Sequence, residues 1–244
     1  MATSIAASRS VAPPRELVGV IVVLLSPRTP SDRRRYDALQ QLRREHDQAY
    51  ARWLPHITLI PPFILSSHQP SSTGDIFADL VSSNAQKLDR IKQVAAEVCA
   101  RYHAHALRLD QVATFPLRAY TNVHLRPTPT NFTDRSTPSR SQSSAGEDTS
   151  SRRIVQLQVE LKQAVLPVVG SARSRREVWK PHVSVGQAHD PRQTWQLCTA
   201  AEDLLSEGGE AALTCDVDSV QLMLKPKRDP GPYHLHYSFP LARE

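Results

Sequence analysis

The sequence predicts an α+β fold of two pseudo-symmetric β-α-β-α-β lobes whose antiparallel sheets face a central cleft. Three observations predict it. A seven-residue pattern occurs twice, as "WLPHITL" at 53–59 and "WKPHVSV" at 179–185. The elements around each copy follow one order, namely strand, helix, motif strand, helix, strand, and a final strand closes the chain. The longest strongly apolar run is "GVIVVLL" at 19–25, the length of a buried strand and far short of the ~20 residues of a membrane span. No membrane association is therefore expected.

Each element has its own signal. Leu17 to Leu25 reads as a buried strand. Pro30-Ser31 opens a helix with Ser31 as N-cap, and Tyr36, Leu39 and Leu42 keep helical spacing toward Tyr50. The first motif strand runs from His56 to Ile60 and is expected to stop at Pro61-Pro62. The Ser-rich stretch 66–85 reads as a loop. Leu88, Ile91, Ala95, Val98 and Tyr102 recur at steps of three and four, the pattern of an amphipathic helix. Strands follow near 105–115 and 119–126, with a turn at Phe115-Pro116-Leu117-Arg118. Residues 127–152 are rich in Pro, Ser and Thr and read as a disordered insertion. A helix over 153–166 uses Ile154, Leu157, Leu161 and Val165. The second motif strand, His182 to Gln187, leads to a helix that Asp190-Pro191 opens and that ends near Ser206. Strands near 212–224 and 232–240 complete the chain. The expected organisation is a disordered tail over 1–14 and one bilobal domain over 15–244.

Composition narrows the class. The chain has 244 residues, 40% hydrophobic and 22% charged, as in ordinary globular proteins. Three widely spaced cysteines, Cys99, Cys198 and Cys215, contain no CxxC pair. They point away from a disulfide framework or a zinc site and toward a reducing, intracellular and cytoplasmic setting. The first fifteen residues lack acids and are rich in Ser and Ala, as mitochondrial targeting segments are, but hold only two arginines. A net charge of +6 and a pI near 9.5 favour phosphate-bearing partners weakly. The basic clusters at 33–35, 152–153, 173–176 and 225–228 read as solvated faces.

The chemistry lies in the repeated motif. Alternate side chains of a strand share a face, so His56 and Thr58 point one way and Ile57 and Leu59 the other. His182 and Ser184 repeat this against Val183 and Val185. Two lobes facing each other would gather two imidazoles and two hydroxyls around one cavity. That set suits phosphodiester chemistry: one neutral His takes a proton while a protonated one gives a proton to the leaving oxygen. The hydroxyls of Thr58 and Ser184 can hold the non-bridging phosphate oxygens. No metal-ligand motif and no cofactor motif is present.

The doubled His-x-(Thr/Ser)-x motif resembles that of the two-histidine (2H) phosphoesterase superfamily, which includes 2′–5′ RNA ligase-like proteins and cyclic phosphodiesterases. The resemblance extends over 15–244 and includes "LDQVATFPLRAYTNVHLRP" between the motifs. It implies that His56 and His182 are catalytic and that Thr58 and Ser184 bind phosphate. It also implies hydrolysis of a 2′,3′-cyclic phosphate, commonly to a 2′-phosphate, on a nucleotide, an RNA end or an ADP-ribose cyclic phosphate, without a cofactor. Reversal at a 2′,5′ bond, a ligase activity, is open to the same catalyst, whereas no Lys or Gly-rich motif for ATP-dependent ligation is present. The rival expectation is a non-catalytic nucleotide- or RNA-binding module of the same fold. A monomer is expected, and which histidine is acid and which base stays open.

Other residues receive lesser roles. Trp53 and Trp179 are read as packing residues. Phe63, Tyr120 and Tyr233 are candidate base-stacking platforms. His234-x-His236 and His103-x-His105 are read as polar strand positions rather than metal ligands, since no third ligand accompanies either pair.

Overall fold

A computed structural model describes residues 15–67, 74–128, 149–170, 179–209 and 211–243. The expected tail at 1–14, most of the insertion at 127–152 and the Arg-rich run at 173–176 lie outside them. The described residues form five helices and ten strands in three antiparallel sheets. The strands are β1 (Arg15–Leu24), β2 (Ser26–Pro27), β3 (His56–Ser67), β4 (His105–Leu109), β5 (Gln111–Pro116), β6 (Thr121–Arg126), β7 (Val183–Ala188), β8 (Leu213–Val217), β9 (Ser219–Pro226) and β10 (His234–Pro240). The helices are α1 (Pro30–His46), α2 (Ile76–Ser83), α3 (Ala85–Cys99), α4 (Thr149–Val169) and α5 (Pro191–Ser206). None of these helices is long and apolar enough to cross a membrane.

One sheet has the order β10-β9-β1-β3, a second β5-β6-β7, and a short sheet β2-β8-β4 joins them. β1 runs between β3 and β9, and Leu17, Ile21 and Val22 on it are completely buried. The four-stranded sheet is covered on one face by α2, α3 and α4. Its other face carries a small cluster of Val20, Val22 and Met223, against which Trp53 and Tyr233 pack. The three-stranded sheet β5-β6-β7 is backed by α5, and α1 lies along β7 and β8. α1 thus follows β1 in sequence but packs with the other sheet. Each motif strand, β3 and β7, is the edge of its own sheet, and the two edges meet.

Several expectations change. Thr29, not Ser31, caps α1: its Oγ1 accepts from Asp32 N at 3.1 Å, and the Asp32 carboxylate accepts from Thr29 N at 3.2 Å. Pro30 takes the first helical position, where its missing N–H is no loss, so the cap falls one residue earlier. Asp32 also accepts from Thr214 N at 2.8 Å, which ties α1 to β8. Within the cluster at 33–35, Arg35 is buried rather than solvated, and it donates to the Glu207 carbonyl. Lys225, read as part of a solvated face, is 7% exposed. It donates to the Asp229 carbonyl and lies over the Tyr233 ring.

The strand β3 does not stop at Pro61-Pro62. It continues to Ser67, because an edge strand has one side free of ladder hydrogen bonds and tolerates proline there. The register with β1 shifts on either side of Ile21, so β3 bulges around these prolines. Within 66–85, read as a loop, α2 forms with Asp75 accepting from Phe77 N and Ala78 N. The strand expected over 105–115 divides at Asp110: β4 pairs with β8, while β5 pairs with β6. The strand expected over 212–224 divides at Asp218 for the same reason, with β8 and β9 in different sheets.

Candidate active site

Both motif copies adopt the predicted alternation. Ile57, Leu59, Val183 and Val185 are at most 1% exposed, whereas His56, Thr58, His182 and Ser184 are half-buried on the opposite faces. The imidazoles are held alike. His56 Nδ1 donates to the Leu54 carbonyl at 2.8 Å, and His182 Nδ1 donates to the Lys180 carbonyl at 2.9 Å. In each case the acceptor belongs to the residue before the motif proline, which proline restricts to extended backbone. A carbonyl only accepts, so Nδ1 carries the proton and Nε2 of each neutral ring is left bare.

One pocket of about 250 Å³ takes His56 from the first copy and Ser184 from the second, beside Phe115, Tyr120, Asn122 and Gln187, while Thr58 and His182 are not among its lining residues. His182 stands near enough to His56 for its charge to act on that ring. Trp179 crosses between the copies, its Nε1 donating to the Thr58 carbonyl at 3.0 Å.

A buried ion pair forms part of the pocket wall. Arg43 and Asp47 have side chains only 2% exposed, with Arg43 Nη2 2.9 Å from Asp47 Oδ2. Arg43 also donates to the Trp53 carbonyl and to Gln40 Oε1, each at 2.9 Å. Asp47 Oδ1 accepts from Ala49 N and from Gln187 Nε2. The end of α1, the first motif and β7 are thereby joined. Gly186 permits the close approach, since a Cβ there would lie 2.6 Å from His46 Cβ and 2.9 Å from its carbonyl oxygen.

The surroundings of the two imidazoles differ. His56 lies 4.4 Å from the Trp53 ring, which in turn stacks on Tyr233 at 4.0 Å. Burial pushes the His56 pKa down to about 4; the Leu54 carbonyl opposes the shift, while the Arg43 charge adds to it. His182 meets Phe115 edge-on at 5.4 Å and His124 at 5.1 Å. His124 is 5% exposed, and burial first, then the charge of His182, pushes its pKa down to about 4.

The base-stacking candidates separate. Tyr120 lines the pocket. Phe63 is 4% exposed in the core, with its ring against Gly19, and offers no face to the cleft. Tyr233 stacks on Trp53 and has Lys225 over its ring at 5.3 Å, and together with Trp53 it lines a second pocket of about 280 Å³, apart from the one that holds His56 and Ser184. Asn122 and His124 were missed. Both sit on β6 beside β7, and His124 pairs in register with Ser184. The available signal was polar residues at i and i+2 of "NVHL", which places Asn122 and His124 on one face of the strand and the apolar Val123 and Leu125 on the other. Among the described residues no group of three or more His, Cys, Asp or Glu is placed to hold a metal ion.

Comparison with known proteins places the chain in a family. The model of the 2′-5′ RNA ligase superfamily matches residues 29–229. The chain therefore belongs to that superfamily, a class of two-histidine phosphoesterases. Among solved structures, E. coli LigT complexed with 3′-AMP is 14% identical, with 94% of this chain and 99% of that one covered and a TM-score of 0.49. Kluyveromyces marxianus Usb1 is 11% identical, with 92% and 98% covered and a TM-score of 0.44. No curated protein sequence matches.

Proposed function

We propose that the protein is a metal-independent cyclic phosphodiesterase. It hydrolyses 2′,3′-cyclic phosphates of nucleotides or RNA ends, to 2′-phosphates, by general acid/base catalysis at His56 and His182. The observation that carries this reading is the shared clamp on the two imidazoles, which leaves Nε2 of each available for proton transfer. His56, neutral at pH 7, takes a proton from the attacking water through Nε2. The anionic phosphate seated beside it raises its basicity as the reaction begins. His182 delivers a proton to the ribose oxygen as its bond to phosphorus breaks. Thr58 and Ser184 donate their hydroxyl hydrogens to the non-bridging oxygens. Each proton transfer is worth about 10²–10⁴-fold. The pocket, at about 250 Å³, lies just below the ~300–1,000 Å³ of ordinary ligand sites. It suits the sugar-phosphate of one nucleotide or of an RNA terminus, with Tyr120 beside it for the base.

The test is incubation with 2′,3′-cyclic AMP in excess EDTA, alongside folded His56→Ala and His182→Ala proteins. Turnover by wild type that falls at least about a hundredfold in each variant is expected. Should folded wild type leave both this substrate and a cyclic-phosphate RNA end intact, a nucleotide- or RNA-binding module replaces the enzyme reading.

A further inference from the structure

We propose that the second pocket, beside Trp53, holds the base of the nucleotide that precedes a cyclic-phosphate end. The protein thereby prefers an RNA terminus to a free cyclic nucleotide. This rests on the two-histidine reading above and chooses between the substrates it leaves open. The second pocket, of about 280 Å³, shares no lining residue with the one that holds His56 and Ser184. Both nevertheless border one segment of chain. Ala49, Pro55 and His56 line the first, and residues 50–54 line the second. The Trp53 ring, in the wall of the second, lies 4.4 Å from the His56 ring. Leu24, in the same wall, is the partner of His56 in the register of β1 with β3. The second pocket is therefore within one side chain of the imidazole that acts on the phosphate.

The lining limits what can sit there. Tyr50, Trp53 and Tyr233 supply three aromatic rings, and Leu24 and Leu54 add aliphatic surface. Arg52 and Leu54 are exposed, so the wall is open to solvent on their side. Arg52 is the one charged residue of a wall that, among the described residues, holds no carboxylate. It stands near Tyr233, whose hydroxyl pKa is raised by burial and lowered by the Arg52 charge. A cation is repelled there, and a sugar finds few polar partners. A flat heteroaromatic ring on an anionic backbone fits both features. The base lies against the aromatic wall, and Arg52 meets the phosphate that links it to the terminal nucleotide. The terminal nucleotide keeps the first pocket, with its own base beside Tyr120. Free 2′,3′-cyclic AMP fills the first pocket alone and gains nothing from the second.

The experiment compares kcat/KM for three substrates. They are 2′,3′-cyclic AMP, an adenosine dinucleotide ending in a 2′,3′-cyclic phosphate, and the same dinucleotide lacking its first base. Wild type should favour the dinucleotide over the mononucleotide about tenfold or more, the worth of one base against an aromatic side chain. The abasic dinucleotide should lose most of that preference. Tyr233→Leu should lower it about tenfold, whereas Tyr233→Phe, which keeps the ring, should hold it. Each preference is a ratio taken on one protein sample, so the folded fraction does not move it. A disturbance of His56 through Trp53 slows both substrates alike and cancels. Equal kcat/KM for the mono- and dinucleotide overturns this inference and leaves the enzyme reading intact. So does a preference that survives undiminished either the loss of the base or Tyr233→Leu. Absence of turnover by wild type on all three substrates overturns both.

Discussion

The two copies of the motif share a sequence pattern and a backbone clamp but stand in different company. In the first, Trp53 lies over its own histidine and stacks on Tyr233, and its carbonyl is held by the buried Arg43. In the second, Trp179 has turned away to donate to the Thr58 carbonyl, and His182 packs instead against Phe115 and His124. A local device, proline then histidine with Nδ1 tied two residues back, is repeated wherever the pattern occurs. The environment is set by whatever the rest of the fold brings near. Packing gives the two imidazoles unlike surroundings, a difference that the repeated sequence pattern does not contain.

The largest expected effect comes from breaking the support of the first copy. Asp47→Ala leaves the Arg43 guanidinium buried without its carboxylate, and removing one partner of such a pair costs about 3–5 kcal/mol. Urea unfolding measures this. A loss under about 1 kcal/mol, the scale of an exposed pair, would mean that Trp53 and Gln187 are held without the network.

A smaller effect follows from two desolvated imidazoles, His56 in the first copy and His124 beside the second. His56 and His124 hold folded-state pKa values of about 4, below the ~6.5 of an unfolded histidine. Between these values the unfolded chain binds protons that the folded one refuses, so stability falls as pH drops from about 6.5 to 4. It is unaffected by these groups above that window and levels off below it. For His124 alone the loss from pH 7 to 5 is about 1–2 kcal/mol. Urea unfolding at both pH values should therefore show a shallower pH dependence for His124→Leu than for wild type. Equal slopes would contradict the burial of His124 as a neutral ring.

The smallest effect tests the bond between the copies. Trp179→Phe keeps most of the ring but deletes the donor to the Thr58 carbonyl, for a loss of about 1 kcal/mol. Trp53→Phe, whose ring stacks without a comparable bond, should cost less. Thermal melts of the two variants rank them, and the reverse order would undo the contrast drawn between the two tryptophans.

Much of the fold was legible because its signals are local. The clean alternation in "HITL" and "HVSV", the capping by Asp190 and the apolar stripe of α3 each follow from neighbours in the chain. The misreadings have a common cause. At Asp110 and Asp218 one polar residue is all that marks the change of sheet, and the strand pattern resumes at once on its far side. Pro61-Pro62 was read as a stop since nothing nearby reveals that β3 is an edge strand. α2 was lost because its eight residues follow a Ser-rich stretch that hides the Asp75 cap.

The same division runs through the site. That His56 shares a face with Thr58, and His182 with Ser184, was legible from the sequence alone, because strand geometry puts i and i+2 on one face and the pattern occurs twice. Asn122 and His124 were not, because their importance lies in standing beside Ser184, 62 residues from Asn122 in the chain. Strand pairing across such separations is decided by which edges the whole sheet leaves free. So are the burial that keeps His56 neutral and the sinking of Phe63 into the core. Desolvation and ring contacts depend on all the atoms around a group, and the chain assembles those from distant segments.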